Sequence, residues 1–423
     1  MNDRRRSKVT FTALHRLLGD PPRPLTSEMV DSAVAQGLRE TDDLDWKSEL
    51  PPLGAIPSSD FPKDVAAMAN SGGGTLIFGV TENGKAASGR KDTGDLTERY
   101  ERGLRSAAVT AISPPIFGLE VVQLGEPGNR CVVVVIPASV DGPHLIYRNE
   151  YFGAPIRNDA DTVWMKERQI EAMYRARFDE RRRSTDVLDK LYSEAAAMRS
   201  ANSPAWIVAV AHPRLPATVS TRPDQSMARQ AFEEAGKNAL VYVGRGSLHP
   251  LEHVDRSNPR PGLRRWTARP SVEGDRLRWL EAWISVHDDG SVSLTAAVGG
   301  HRNSSTEYND DSVVESRDVE VAIADFMGLI REASNRLGLG EYEVRVGFEW
   351  TGDDRLQIWT TDNMNFPYSG STIPLARYTP VETTVRADAN AVAFYWQVHD
   401  LALDCVNEGG IAYVRTISPP APE

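Results

Sequence analysis

The chain has 423 residues, long enough for two or three domains with a sizeable core. A formal charge of −11 excludes a protein coated in positive charge but leaves room for a local basic patch that holds nucleic acid. Two distant cysteines, Cys131 and Cys405, exclude a disulfide scaffold and a cysteine-built zinc site, and point to a reducing cytoplasm.

In chain order, residues 1–38 predict an N-terminal helical extension. Its basic start lacks the apolar core and cleavage site of a secretory signal. Two short helices are broken by "DPPRP", the second beginning near Thr26–Ser27 with Glu28 in its first turn. Residues 39–180 alternate α and β. "LDWK" is a short strand. "SDFPKDVAAMANS" is a helix starting at Ser59 or Asp60. "GTLIFGV" is a buried strand, with Glu82 in the turn that follows it. "DLTERYERGLRSAAVTAI" is an amphipathic helix stopped by Pro114 and Pro115. "FGLEVVQLG" and "RCVVVVIPAS" are strands joined by a glycine- and proline-containing turn, "LIYRNEYFGAPIRN" is strand-like, and "TVWMKERQIEAMYRARFDERRR" is a charged helix. The two near-continuous apolar strands, "GTLIFGV" and "CVVVVIPA", should lie centrally, covered on both faces.

Residues 181–203 read as a linker or a further helix. Residues 204–423 read as a separate α+β domain of unassigned role. Its strands include "AWIVAVAHP", "YEVRVGFEW" and "LQIWTT", with an Asp-Asp-Gly hairpin near 288–290 and helices over 318–336 and 387–407. No stretch approaches the roughly 18 apolar residues of a membrane span.

Three sets of residues could carry chemistry. Asp45 and Lys47 point the same way on a strand, and Glu40 joins them if it ends a helix just before the chain turns. Clustered carboxylates repel unless a cation sits among them, so Mg²⁺ or Mn²⁺ and a phosphate-holding lysine would suit the group; a solvated acidic loop with a surface ion pair would look the same. Next, the glycines of "NSGGG" permit a tight helix-to-strand turn, either structural or an anion nest of backbone amides. No Walker sequence follows, and the Rossmann order of strand before glycines is reversed. Last, Arg175, Arg181, Arg182 and Arg183 crowd one helix, with Arg148 and Arg157 on the strands before it. They would form either a phosphate-binding face or a surface paired with Glu167, Glu171, Asp179 and Glu180. His144 and His212 stand alone, and Pro250 separates His249 from His253, so no zinc site is expected there.

Taken in order, these motifs resemble the Schlafen AlbA-type domain over about residues 38–178: Glu, then acid-aromatic-Lys, then "AMANSGGG", "TLIFGV" and an acidic residue, and finally "YRNEYFGAPIRNDADTVWMKERQIEAMY". The resemblance implies an α/β nucleic-acid-binding domain. In its nuclease-active members three carboxylates hold a divalent metal and cut RNA, notably tRNA. The first corresponds to Glu40, the second, usually Glu, to Asp45, and the third, usually Asp, to Glu82; Lys47 matches the lysine after the aromatic. The implied catalytic set is therefore Glu40, Asp45, Glu82 and Lys47, with Mg²⁺ or Mn²⁺ on the three carboxylates. Three functions follow: a metal-dependent endoribonuclease acting on tRNA or other structured RNA, a non-catalytic DNA- or RNA-binding regulator, or a scaffold whose C-terminal domain binds a partner or signal. A homo-oligomer is a further expected partnership.

Overall fold

The computed structural model describes residues 11–148, 151–199, 204–217, 223–244, 248–271, 279–301, 309–361, 367–368 and 372–419. The chain divides into two compact units, Met1–Arg182 and Arg183–Glu423.

The first unit opens with α1 (Ala13–Leu18) and α2 (Ser27–Ala35), followed by β1 (Leu44–Lys47), a 3₁₀ turn at Leu53–Ser58, and α3 (Phe61–Asn70). Next come β2 (Gly74–Phe78), the hairpin β3 (Val80–Asn83) and β4 (Ala86–Arg90), and α4 (Glu98–Thr110), whose N-cap Thr97 accepts the N–H of Tyr100. The remainder is β5 (Ile112–Ser113), β6 (Glu120–Leu124), β7 (Cys131–Ile136), β8 (Leu145–Arg148), β9 (Tyr151–Gly153), β10 (Pro155–Asn158) and β11 (Asp161–Trp164), before α5 (Glu167–Ala196) begins.

The central sheet runs β1-β2-β7-β6, parallel between β1 and β2 and antiparallel elsewhere. Its two inner strands are the apolar runs "GTLIF" and "CVVVVI", because both faces are covered. Leu76, Phe78, Val132 and Val134 pack on α3 and α4, through Val65, Met68, Leu104 and Ala108. Ile77, Cys131 and Val133 alternate to the other face, where Leu14, Met29 and Val30 of α1 and α2 join Leu44 and Trp46.

Three expectations need correction. Thr162–Trp164 is not the start of the charged helix: it pairs as β11 with β10, and the helix begins at Glu167. Thr, Val and Trp favour a pleated strand, and Asp159, at φ 57°, turns the hairpin. Glu40 does not end a helix; α2 stops at Ala35, five residues earlier. Glu82 does not lie in a turn but on β3, opposite Ala87.

The glycines after Asn70 serve the chain itself. Gly72 and Gly73 both sit in the left-handed region, at φ 98° and 97°. A Cβ on Gly73 would meet Ala138 N at 2.8 Å, and one on Gly74 would meet Met68 Sδ at 2.7 Å. The Gly73 amide donates to Met68 O at 2.8 Å, closing the end of α3 instead of standing open to an anion.

In the second unit a seven-stranded antiparallel sheet runs in the order 260–262, 265–268, 282–287, 292–297, 206–213, 341–349, 381–386. Strand Trp206–Pro213 is buried throughout: Ile207, Ala209 and Ala211 enter the main core with helices Gln225–Ala239, Ser316–Leu337 and Ala391–Asn407. Val208 and Val210 face Leu188, Leu191 and Ala195 of α5, which runs unbroken to Ala196 through most of the segment read as a linker or a further helix. His249 is committed to Asp325, with Nδ1 2.7 Å from the carboxylate.

Candidate nucleic-acid interface

In β1, Leu44 and Trp46 point into the core, so Asp45 and Lys47 share the opposite face. Lys47 Nζ lies 2.7 Å from Asp45 Oδ2 and 3.4 Å from Asp64 Oδ2, the latter in the first turn of α3. Both carboxylates are buried, whereas the lysine side chain is 37% exposed. Burial works against the Lys47 charge, but Asp64 and Asp45 outweigh it and raise its pKa. Burial raises the Asp64 pKa, with Lys47 opposing.

The other acids arrive on different elements. The N–H of Glu40 donates to Lys85 O at 2.8 Å and that of Ala87 to Leu38 O at 2.9 Å, which fastens the β3–β4 hairpin to the chain leading into β1. The β3–β4 register shifts between Thr81 and Glu82, with Ser88 of β4 as the extra residue. Glu40 Oε1 accepts the Trp46 N–H at 3.1 Å. Burial, then Asp45, then Glu82 push the Glu40 carboxyl up to about 7, against the Trp46 hydrogen bond. Glu40, Asp45 and Glu82 therefore do meet, together with Lys47, in one cleft of about 600 Å³.

Arg157, on β10, closes the floor of that cleft. It was expected on an open phosphate-binding face, yet its side chain is 2% exposed. Nη1 lies 3.4 Å from Asp45 Oδ1 and 3.3 Å from Thr162 Oγ1, and Nη2 donates to Thr41 O at 3.1 Å. The cleft is lined by four carboxylates, Glu40, Asp45, Asp64 and Glu82, and four cations, Lys47, Lys63, Lys85 and Arg157. Lys63 pairs with Asp60 at 2.9 Å and Lys85 with Asp161 at 2.6 Å.

Residues 40–166 match the family model described as Schlafen, AlbA_2. This segment is a Schlafen AlbA_2 domain. Among solved structures, the N-terminal domain of a RecG-related protein from Nitrosomonas europaea is 18% identical, covering 34% of this chain and 94% of that one, at a TM-score of 0.25. The DIP2311 protein from Corynebacterium diphtheriae is 17% identical over 49% of this chain, at a TM-score of 0.25; the chain covers 32% of its length. No curated protein matches the chain.

Among the described residues no group of three or more His, Cys, Asp or Glu side chains is placed to hold a metal ion. The donor set explains why: Lys47 pairs with Asp45 and Asp64, Arg157 faces Asp45, and one oxygen of Glu40 takes a backbone N–H. Mg²⁺ or Mn²⁺, which need several oxygens around one point, would have to share this set with those partners.

The arginines divide. Arg175, on α5, donates to Glu171 at 2.6 Å, and Arg177 lies 3.9 Å from Asp141. Arg181, Arg182 and Arg183 are exposed on the same helix. The side chain of Arg148 lies outside the described residues. Sequence reading missed Asp64 in this site, since an acid in the first turn of a helix reads as a partner for the helix dipole. Among the described residues no helix is long and apolar enough to cross a membrane.

Proposed function

We propose that the AlbA_2 domain binds nucleic acid through this cleft, with Lys47 meeting the phosphate backbone. The carrying observation is the setting of Lys47. The buried Asp45 and Asp64 carboxylates hold its ammonium at the cleft through ion pairs of 2.7 and 3.4 Å, while its side chain stays 37% exposed and within reach of a ligand. The AlbA_2 match supports the same reading. Lys63, beside it, and Arg181, Arg182 and Arg183 on α5 would extend the phosphate contacts.

Binding without metal chemistry fits the cleft better than a metal-dependent endoribonuclease, because Lys47 and Arg157 already answer the carboxylates. One observation favours catalysis as a second reading. A Glu40 carboxyl that titrates near 7 is poised to take or give a proton at neutral pH, as a general acid–base group must. Incubation with total tRNA, with and without Mn²⁺, separates the readings. Bound but intact tRNA in every lane supports the binding reading. Cleavage by wild type and not by Glu40→Ala would establish the nuclease, and its dependence on Mn²⁺ would decide whether a metal serves it.

A further inference from the structure

The β3–β4 hairpin turns through Gly84 and Lys85, both in the left-handed region, at φ 57° and 64°. Asn83 pairs with Ala86 across them, so the loop has two residues. Glycine is the usual second residue of such a turn, because a side chain there costs conformational energy. Here the position holds a lysine. A strained backbone filled by a charged residue points to a use for the side chain.

Two ties hold Lys85. Its carbonyl accepts the Glu40 N–H at 2.8 Å, which fixes its backbone beside the acids of the cleft. Its ammonium lies 2.6 Å from Oδ1 of Asp161, in a different hairpin, where Asp161 follows the turn at Asp159 and Ala160 and pairs with Asn158. Lys85 and Ala160 both line the cleft, so the ion pair joins two of its walls. The two side chains are 37% and 70% exposed. An ion pair so open to water adds little to stability and is cheap to part. Lys47 differs, because its two carboxylates are buried and cannot leave. Asp161 can swing into solvent, and Lys85 then offers its charge to another oxygen anion in the same place. A phosphodiester backbone that meets Lys47 in this cleft carries one on every residue.

We propose that Lys85 is a further phosphate contact of the cleft and that Asp161 stands in for the phosphate in the free protein, so that nucleic acid enters by exchanging a phosphate for this carboxylate. The proposal rests on the nucleic-acid reading above. RNA and DNA present the same phosphodiester, and the test includes both.

Binding of the full chain to labelled tRNA and to a labelled DNA duplex is measured by fluorescence anisotropy over a range of salt. Asp161→Asn should tighten binding about two- to fivefold, the range of an exposed ion pair. Asp159→Asn removes an equal charge from an exposed position two residues away and should tighten it less. Lys85→Gly suits the positive φ, so it should keep the melting midpoint while weakening binding and lowering the salt slope by about one contact. In the Lys85→Gly background, Asp161→Asn should do no more than Asp159→Asn. The exchange is overturned if the two Asp→Asn changes act alike in the wild-type chain. It is equally overturned if Lys85→Gly lowers the melting midpoint and leaves binding intact, which would make the pair a structural clasp. If Lys47→Ala weakens binding while Lys85→Gly and Asp161→Asn change nothing, the exchange falls and the cleft stands. If neither ligand binds at low salt, both fall.

Discussion

Ser71 Oγ accepts the backbone N–H of Arg157 at 2.9 Å, across 86 residues of chain. The serine ends α3 just before the glycine turn, and the arginine closes the cleft, so the "NSGGG" motif builds the site by holding the strand that carries its buried cation. Ser71→Ala should cost about 1 kcal/mol of unfolding free energy, the usual worth of such a bond. It should also loosen Arg157, read as a weaker coupling between Arg157→Lys and Asp45→Asn in a double-mutant cycle.

Asn70 is the larger clasp. Its Nδ2 donates to His144 O at 3.0 Å and Pro155 O at 2.8 Å, and its Oδ1 accepts the His144 N–H at 2.7 Å. Asn70→Ala strands these buried backbone groups, and a loss of about 2–4 kcal/mol is expected. Asn70→Asp should be no better, because a carboxylate would face two carbonyl oxygens. Urea unfolding with an unchanged m-value measures both.

The adjacent glycines provide a graded test of backbone strain. Gly72 has open space around a Cβ, so Gly72→Ala should cost only the left-handed conformation, about 1 kcal/mol. Gly73→Ala adds the collision with the Ala138 and Ile136 backbone and should cost clearly more. Equal losses would show that the turn relaxes around the added methyl.

Glu40 makes stability depend on pH. Its carboxyl is raised from an ordinary 4.5 to about 7, so between those values the folded chain holds a proton that the unfolded chain has released. Stability contributed by the group is therefore full below about 4.5 and is lost as pH rises through about 7. Glu40→Gln should raise the melting midpoint relative to wild type above neutrality, and the advantage should shrink in mild acid. Parallel midpoints across the whole range would place the proton elsewhere.

Binding should fall as salt rises, because phosphate contacts release counterions, with a log–log slope of about −0.7 to −0.9 per contact. Lys47→Ala should reduce that slope by about one contact. Replacing Arg181, Arg182 and Arg183 together by Ala should weaken binding further. A slope untouched by either change would remove those residues from the interface.

The cleft's own cations predict indifference to divalent ions. Mn²⁺ or Mg²⁺ at concentrations far above those that screen charge should leave the melting midpoint of the wild-type chain in place. A tight site at a hundredfold excess over its Kd would add about 2.7 kcal/mol and move it. Such a rise, lost in Glu40→Gln, would mean that Lys47 gives way to a metal.

The sequence by itself determined the elements and much of the local order. Apolar runs such as "CVVVVI" declare doubly covered strands, Thr26 and Glu28 mark a helix start, and the even spacing of Asp45 and Lys47 puts them on one face of β1, because strand and helix periods are properties of neighbouring residues. The order of motifs over residues 40–166 carried the AlbA_2 kinship as well. Tertiary structure alone decided what the charges do. Asp64 and Arg157 reach Lys47 and Asp45 from a helix and a distant hairpin, and the β3–β4 hairpin brings Glu82 beside Glu40. Those meetings set which carboxylates are neutralised, which one keeps its proton, and whether oxygens remain for a metal. Coulomb energy depends on distance and burial, and residues 112 apart in the chain, such as Asp45 and Arg157, acquire both only when the sheet and the hairpin have closed around them.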